Sequence, residues 1–148
     1  MKIGFGIFLI IASAAMAASS VTATLRAQAP PAAKTTWDGV YTREQAAKGE
    51  QIYNDQCAKC HGPEASGADA PTLSGGEFAS DWDSMTVGQL FDRVRISMPQ
   101  DNPQSLSRED VAALLAYIFS KNSFPTGDTA LSTQGDVLTQ IKYMANKP

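Results

Sequence analysis

Both cysteines of the chain, Cys57 and Cys60, and its single histidine, His61, fall within five consecutive residues, Cys-Ala-Lys-Cys-His. Two thiols three positions apart with an imidazole directly after them form the attachment pattern of a c-type haem. On a helical turn residues i and i+3 project to one side, so both sulfurs can reach the two vinyl groups at one porphyrin edge. The next residue then sets its imidazole beneath the iron. In that arrangement Cys57 and Cys60 become thioethers and His61 the proximal axial ligand. Other chemistries use the same residue types. A structural zinc site takes about four protein ligands, and this pentapeptide supplies three. A thioredoxin-like pair sits in a βαβ context, of which the sequence carries no sign. A disulfide across two intervening residues closes too short a loop to stabilise much.

A haem iron needs a sixth ligand or an open position. With no second histidine, methionine is the remaining soft donor. Met1 and Met16 lie in the N-terminal apolar stretch, Met85 precedes a predicted helix, and Met144 lies in the tail. Met98, in "RISMPQDNP", stands just past a helix at the start of a proline-bounded loop that can hold a thioether over a flat ring. Core filling is the alternative for any methionine.

The elements that must position these groups read as helices. Thr42 is an N-cap and Gln45 follows three residues on, a capping box. Ala46, Gly49, Tyr53 and Cys57 then mark one face that runs into the motif. Gly49 costs about 1 kcal/mol relative to Ala in a helix, which predicts close approach of another backbone there. "GPEASGADAPTLSGGEFASD" reads as loop, dense in Gly and without a period. A second helix starts at Thr86 with Gln89 as its capping partner, carries Val87, Leu90, Phe91 and Val94 as its stripe, and ends before Pro99. A third is capped by Ser107, with Leu106 and Val111 as a hydrophobic staple and Val111, Leu114, Leu115, Ile118 and Phe119 facing inward. Val137, Leu138, Ile141 and Met144 allow a short packed helix in the tail. No alternating run with hairpin turns occurs, so the fold class is all-α. The helices alone make a thin core, as expected where a bound group completes the interior.

The chain has 148 residues, enough for one domain. Residues 1–29 have a secretory layout: one Lys, an apolar run, then small residues. The exits Ala15-Met16-Ala17 and Ala27-Gln28-Ala29 are candidate cleavage sites; uncut, Ile3 to Leu25 just suffices as a membrane anchor. Residues 30–36 read as a linker, 37–125 as the domain and 126–148 as a C-terminal tail. Removing residues 1–29 takes away Lys2 and Arg26 and no acid, so the net charge of −3 becomes −5. That excludes the basic face of a nucleic-acid binder. The expected location is periplasmic or otherwise exported, with membrane contact only through a retained N-terminal segment.

"YTREQAAKGEQIYNDQCAKCHG", "APTLSG", "TVGQLFDRVRISMPQDNPQSLS" and "EDVAALLAYIFSKNSFP" together resemble the class I c-type cytochromes, and within them the monohaem domains associated with bacterial quinoprotein dehydrogenases. The resemblance covers roughly Trp37 to Pro125. It implies a cytochrome c fold, with N- and C-terminal helices crossing and a haem-centred core with long loops. Gly49 and Tyr53 match the crossing positions, near Leu114 to Tyr117. It implies one covalent haem c, Met98 as distal ligand, and Pro71 as the loop proline whose carbonyl accepts a hydrogen bond from the proximal imidazole. Trp82, Arg93 and Arg95 are candidates for the haem carboxylates, with solvated arginines and a packing tryptophan as the alternative. The implied function is single-electron transport between exported redox proteins, a quinoprotein dehydrogenase and a terminal oxidase being the implied kinds, and not catalysis. A fixed subunit of a periplasmic dehydrogenase complex is the alternative; a haem enzyme or gas sensor would require Met98 to leave the iron.

Overall fold

The computed structural model describes Met1 and residues 33–148; the expected signal or anchor at 1–29 lies outside the described residues apart from Met1. The elements, in order, are β1 (Lys34–Thr35), α1 (Arg43–Gln56), α2 (Ala58–His61), α3 (Gly75–Trp82), α4 (Val87–Ser97), α5 (Arg108–Lys121), α6 (Gly135–Leu138) and β2 (Ile141–Lys142). Short 3-10 turns occupy Thr36–Asp38 and Pro63–Ala65. Among the described residues the fold is helical, as expected, except for a two-residue parallel ladder between β1 and β2 and an isolated antiparallel bridge between Thr86 and Lys142.

The crossing of α1 and α5 is its centre. A Cβ added at Gly49 would stand 1.9 Å from the Ala113 carbonyl oxygen and 3.0 Å from Tyr117 Cβ. Only a glycine lets the two backbones meet this closely. One helical turn on, the rings of Tyr53 and Tyr117 meet at a 38° tilt with centroids 5.0 Å apart. α5 is buried on all sides from Val111 to Phe119, well beyond its expected stripe. A helix apolar all round is a core helix, and here α1, α4 and the C-terminal segment enclose it.

The caps of α4 and α5 follow the sequence. Thr86 and Gln89 form the full capping box, and Ser107 Oγ accepts from Asp110 N at 3.1 Å. At α1 half of the expected box is missing. Thr42 Oγ1 accepts from Gln45 N, but the Gln45 amide turns away from the cap. It donates to Leu131 O at 3.0 Å and accepts from Leu131 N at 2.7 Å.

Three segments differ from expectation. The stretch read as loop contains α3, whose first two residues are glycines, the poorest helix formers after proline. Its start is held from outside: Gly75 N donates to Asn122 Oδ1, just past the end of α5. Of the expected linker, residues 34–36 are packed, with Thr36 fully buried and β1 paired to β2. The tail is not one helix. The expected short packed helix is present but covers only Gly135–Leu138, with Leu138 buried; Val137 points outward, and Ile141 and Tyr143 are buried in extended chain. Backbone bonds link Tyr143 to Met85 and Ser84, and Trp37 Nε1 donates to Met144 O at 2.9 Å. The tail therefore straps α4 to the chain before α1.

Candidate haem site

α1 runs directly into the motif. Cys57 caps both α1 and the single turn α2, its N–H donating to Tyr53 O at 2.8 Å. Cys60 N and His61 N both donate to Cys57 O, at 3.1 and 2.9 Å, so one tight turn fixes the spacing of the three side chains. Cys57 is half-buried, Cys60 is exposed, and neither is in a disulfide. Burial, with a smaller contribution from the neighbouring Cys60 thiol, pushes the Cys57 thiol up to about 11. It is therefore a neutral thiol at pH 7.

Tyr53 anchors the far end of this turn. Its buried hydroxyl donates to Gly62 O at 2.6 Å. Gly62 has φ +74°, and a Cβ there would fall 2.4 Å from Gly67 O. The loop then folds back on the motif, with Gly67 N donating to His61 O at 2.7 Å and Ala70 N to Cys60 O at 2.9 Å. That return brings the Pro71 carbonyl oxygen to 2.7 Å from His61 Nδ1. A carbonyl only accepts, so Nδ1 carries the hydrogen, and in the neutral ring the lone pair is then on Nε2.

Met98 caps α4, its N–H donating to Val94 O at 2.9 Å, and its half-buried side chain packs against the core. Its extended backbone is what a residue before proline adopts. An ion pair between Lys59, inside the motif, and Asp101, three residues past Met98, ties the methionine loop to the cysteine turn. Leu73, Trp82 and Leu106 are also apolar, half-buried and packed against the core. Arg93 is exposed on α4, whereas Arg95 is half-buried.

The structure thus joins His61 to Pro71 directly and joins the motif to the Met98 loop through Lys59 and Asp101. The Lys59–Asp101 pair and the Tyr53–Gly62 bond were not foreseen. Tyr53 stood out in the sequence as part of the α1 face that runs into the motif and as a crossing residue, and nothing in the pattern marked Asp101. The donor set suits a haem: two free thiols on one turn, an imidazole whose tautomer is fixed by a carbonyl, a thioether on a separate loop, and apolar side chains that the helices leave half-covered. Among the described residues no group of three or more His, Cys, Asp or Glu converges as a bare-ion site requires.

Residues 44–118 match the family model described as cytochrome c oxidase, cbb3-type, subunit III. The chain is 36% identical over 110 residues to a thiosulfate dehydrogenase of Stutzerimonas stutzeri (strain A1501), an alignment covering 68% of this chain and 34% of that protein. It also resembles a chain in the crystal structure of the sulfane dehydrogenase SoxCD from Paracoccus pantotrophus, with a TM-score of 0.50 and 27% identity, over 72% of this chain and 61% of that one. The chain thus spans about a third of the length of the first relative and less than two thirds of the second.

Proposed function

The chain belongs to the cytochrome c family described as cytochrome c oxidase, cbb3-type, subunit III, and from that premise we propose that it is a His/Met-ligated monohaem carrier of single electrons between exported redox proteins. Cys57 and Cys60 would hold the haem covalently, and His61 Nε2 and the Met98 sulfur would supply the protein ligands to its iron. The observation that carries this assignment is the 2.7 Å bond between His61 Nδ1 and Pro71 O, which orients the ring and reserves Nε2 for a metal. When bound, a c-type haem supplies an iron that changes charge by one electron. The chain's part would be to supply both ligands, His61 and Met98. The soft Met98 sulfur would favour the ferrous state, and with both residues on the iron, oxygen or peroxide would have no place to bind. No catalysis is assigned to the chain itself. Export is part of the proposal and rests on the layout of residues 1–29.

The names of the relatives favour one second reading, a cytochrome subunit fixed in a dehydrogenase complex. Its electron chemistry is the same, and stable co-purification with a large dehydrogenase from the native host separates it from a free carrier. The ligand set is tested optically. Reduced wild-type protein should bind carbon monoxide poorly near neutral pH, while Met98→Ala should bind it readily and lose the methionine-to-ferric-iron band. A wild type that binds carbon monoxide as avidly as the variant contradicts the assignment.

A further inference from the structure

Two buried side-chain atoms have no hydrogen-bond partner among the described residues, Tyr143 Oη and Arg95 Nε. The phenol sits among the rings of Phe78, Phe119 and Phe124 and carries no charge. Arg95 is the costlier case, because a guanidinium is always charged and one of its N–H donors, on Nε, is cut off from water with no partner. The ion pairs among the described residues are Lys48–Asp110, Lys59–Asp101 and Lys121–Glu64, and Arg95 is in none of them. Asp92, three residues back on α4, is exposed and is in none of these pairs either.

The placement of Arg95 on α4 is specific. Gln89, Asp92, Arg93 and Ile96, at i, i+3, i+4 and i+7, share an exposed face of the helix. Arg95 is off that face and half-buried. It stands three residues before Met98, so one helical turn brings the two to the same side.

We propose that Arg95, and not Arg93, is the counter-charge for a carboxylate side chain of the haem. The proposal rests on the haem assignment above. A guanidinium fork matches a carboxylate in two parallel hydrogen bonds, which accounts for a buried Nε–H with no protein partner. Arg95 is then a positioning residue that also sets the potential. Its charge offsets a carboxylate that would otherwise stabilise ferric iron, so removing it should favour the oxidised form.

The test uses full-length protein made in a host with a cytochrome-assembly system, as wild type, Arg95→Gln, Arg95→Lys and Arg93→Gln, each titrated potentiometrically. Arg95→Gln should shift the ferrous–ferric equilibrium about tenfold toward ferric, a fall of about 59 mV for one electron. The methionine-to-iron band should persist. Arg95→Lys keeps the charge and should recover most of the potential, and Arg93→Gln should move it by less than a third as much. Equal potentials for Arg95→Gln and Arg93→Gln overturn the proposal. If Arg95→Gln yields no haem protein, Arg95→Lys decides: a potential near wild type supports the pairing, and a fall as large as that expected for loss of the charge overturns it. Red proteins with equal potentials refute Arg95 alone, whereas a colourless wild type refutes the haem assignment and this inference with it.

Discussion

Replacing Gly49 with alanine should destabilise the protein, against the usual effect of that substitution in a helix. Alanine favours a helix over glycine by about 1 kcal/mol. Here the new Cβ would lie 1.9 Å from Ala113 O and 2.5 Å from Ala113 C, where real Cβ atoms essentially never come within 3.0 Å. The obstruction is backbone, so no side-chain rotation relieves it, and α1 and α5 must part by about 1 Å. Overpacking of this kind costs about 1–3 kcal/mol, and more when the backbone itself must move. Taking the upper end of that range because the obstruction is backbone, and subtracting the propensity gain, the net loss should be about 2 kcal/mol, or roughly 6–12 °C in Tm for a domain of this size. Gly76→Ala is the matched control. That glycine is in the first turn of α3 with nothing within 4 Å of an added Cβ, so the change should raise Tm slightly. Both are read by thermal unfolding of the haem-loaded proteins, followed by far-UV circular dichroism. A Gly49→Ala protein as stable as wild type would refute the backbone contact at the crossing.

The remaining predictions address single bonds and groups. Tyr53→Phe removes the buried bond to Gly62 O and should cost about 1–2 kcal/mol in chemical denaturation, leaving Gly62 O unpaired. Gln45→Ala releases both bonds to the Leu131 backbone and should cost a similar amount, with faster hydrogen exchange at Leu131 as its specific sign. The Lys48 ammonium, followed by the Ser107 hydroxyl, holds the Asp110 carboxyl below its ordinary range. The folded value is therefore below the unfolded one. The contribution is present above about pH 4 and lost as pH falls through the folded value, so Asp110→Asn should flatten the acid limb of the stability curve. In reduced chain made without haem, alkylation followed by peptide mass should modify exposed Cys60 well before half-buried Cys57, whose thiol is pushed up to about 11.

The parts of this fold that were legible in the sequence are those fixed by local rules. The starts of α1, α4 and α5 are set by side chains within three residues of the cap, and the end of α4 by a proline. Gly49 signalled a close approach because a helix rarely keeps a glycine without a packing reason. The parts that were not legible depend on partners far along the chain. α3 begins with two glycines and is held by Asn122, forty-seven residues away. β1 exists only because β2 pairs with it from the other end of the sequence. The Gln45 amide preferred Leu131, eighty-six residues on, to its own cap. At the site, the cysteine turn follows from its spacing alone. The carbonyl that meets His61 was placed at Pro71 by family resemblance, and it arrives there because Gly62 and Gly67 let the loop fold back.

The central claim is that Cys57 and Cys60 are both joined covalently to one haem. It is tested most directly by the mass of the peptide spanning Cys57 to His61, cut from protein matured with a cytochrome-assembly system and stripped with acidified organic solvent. The account predicts a peptide heavier by one haem, with no thiol left to alkylate. A peptide of unmodified mass, or one lighter by the two hydrogens of a Cys57–Cys60 disulfide, would contradict it.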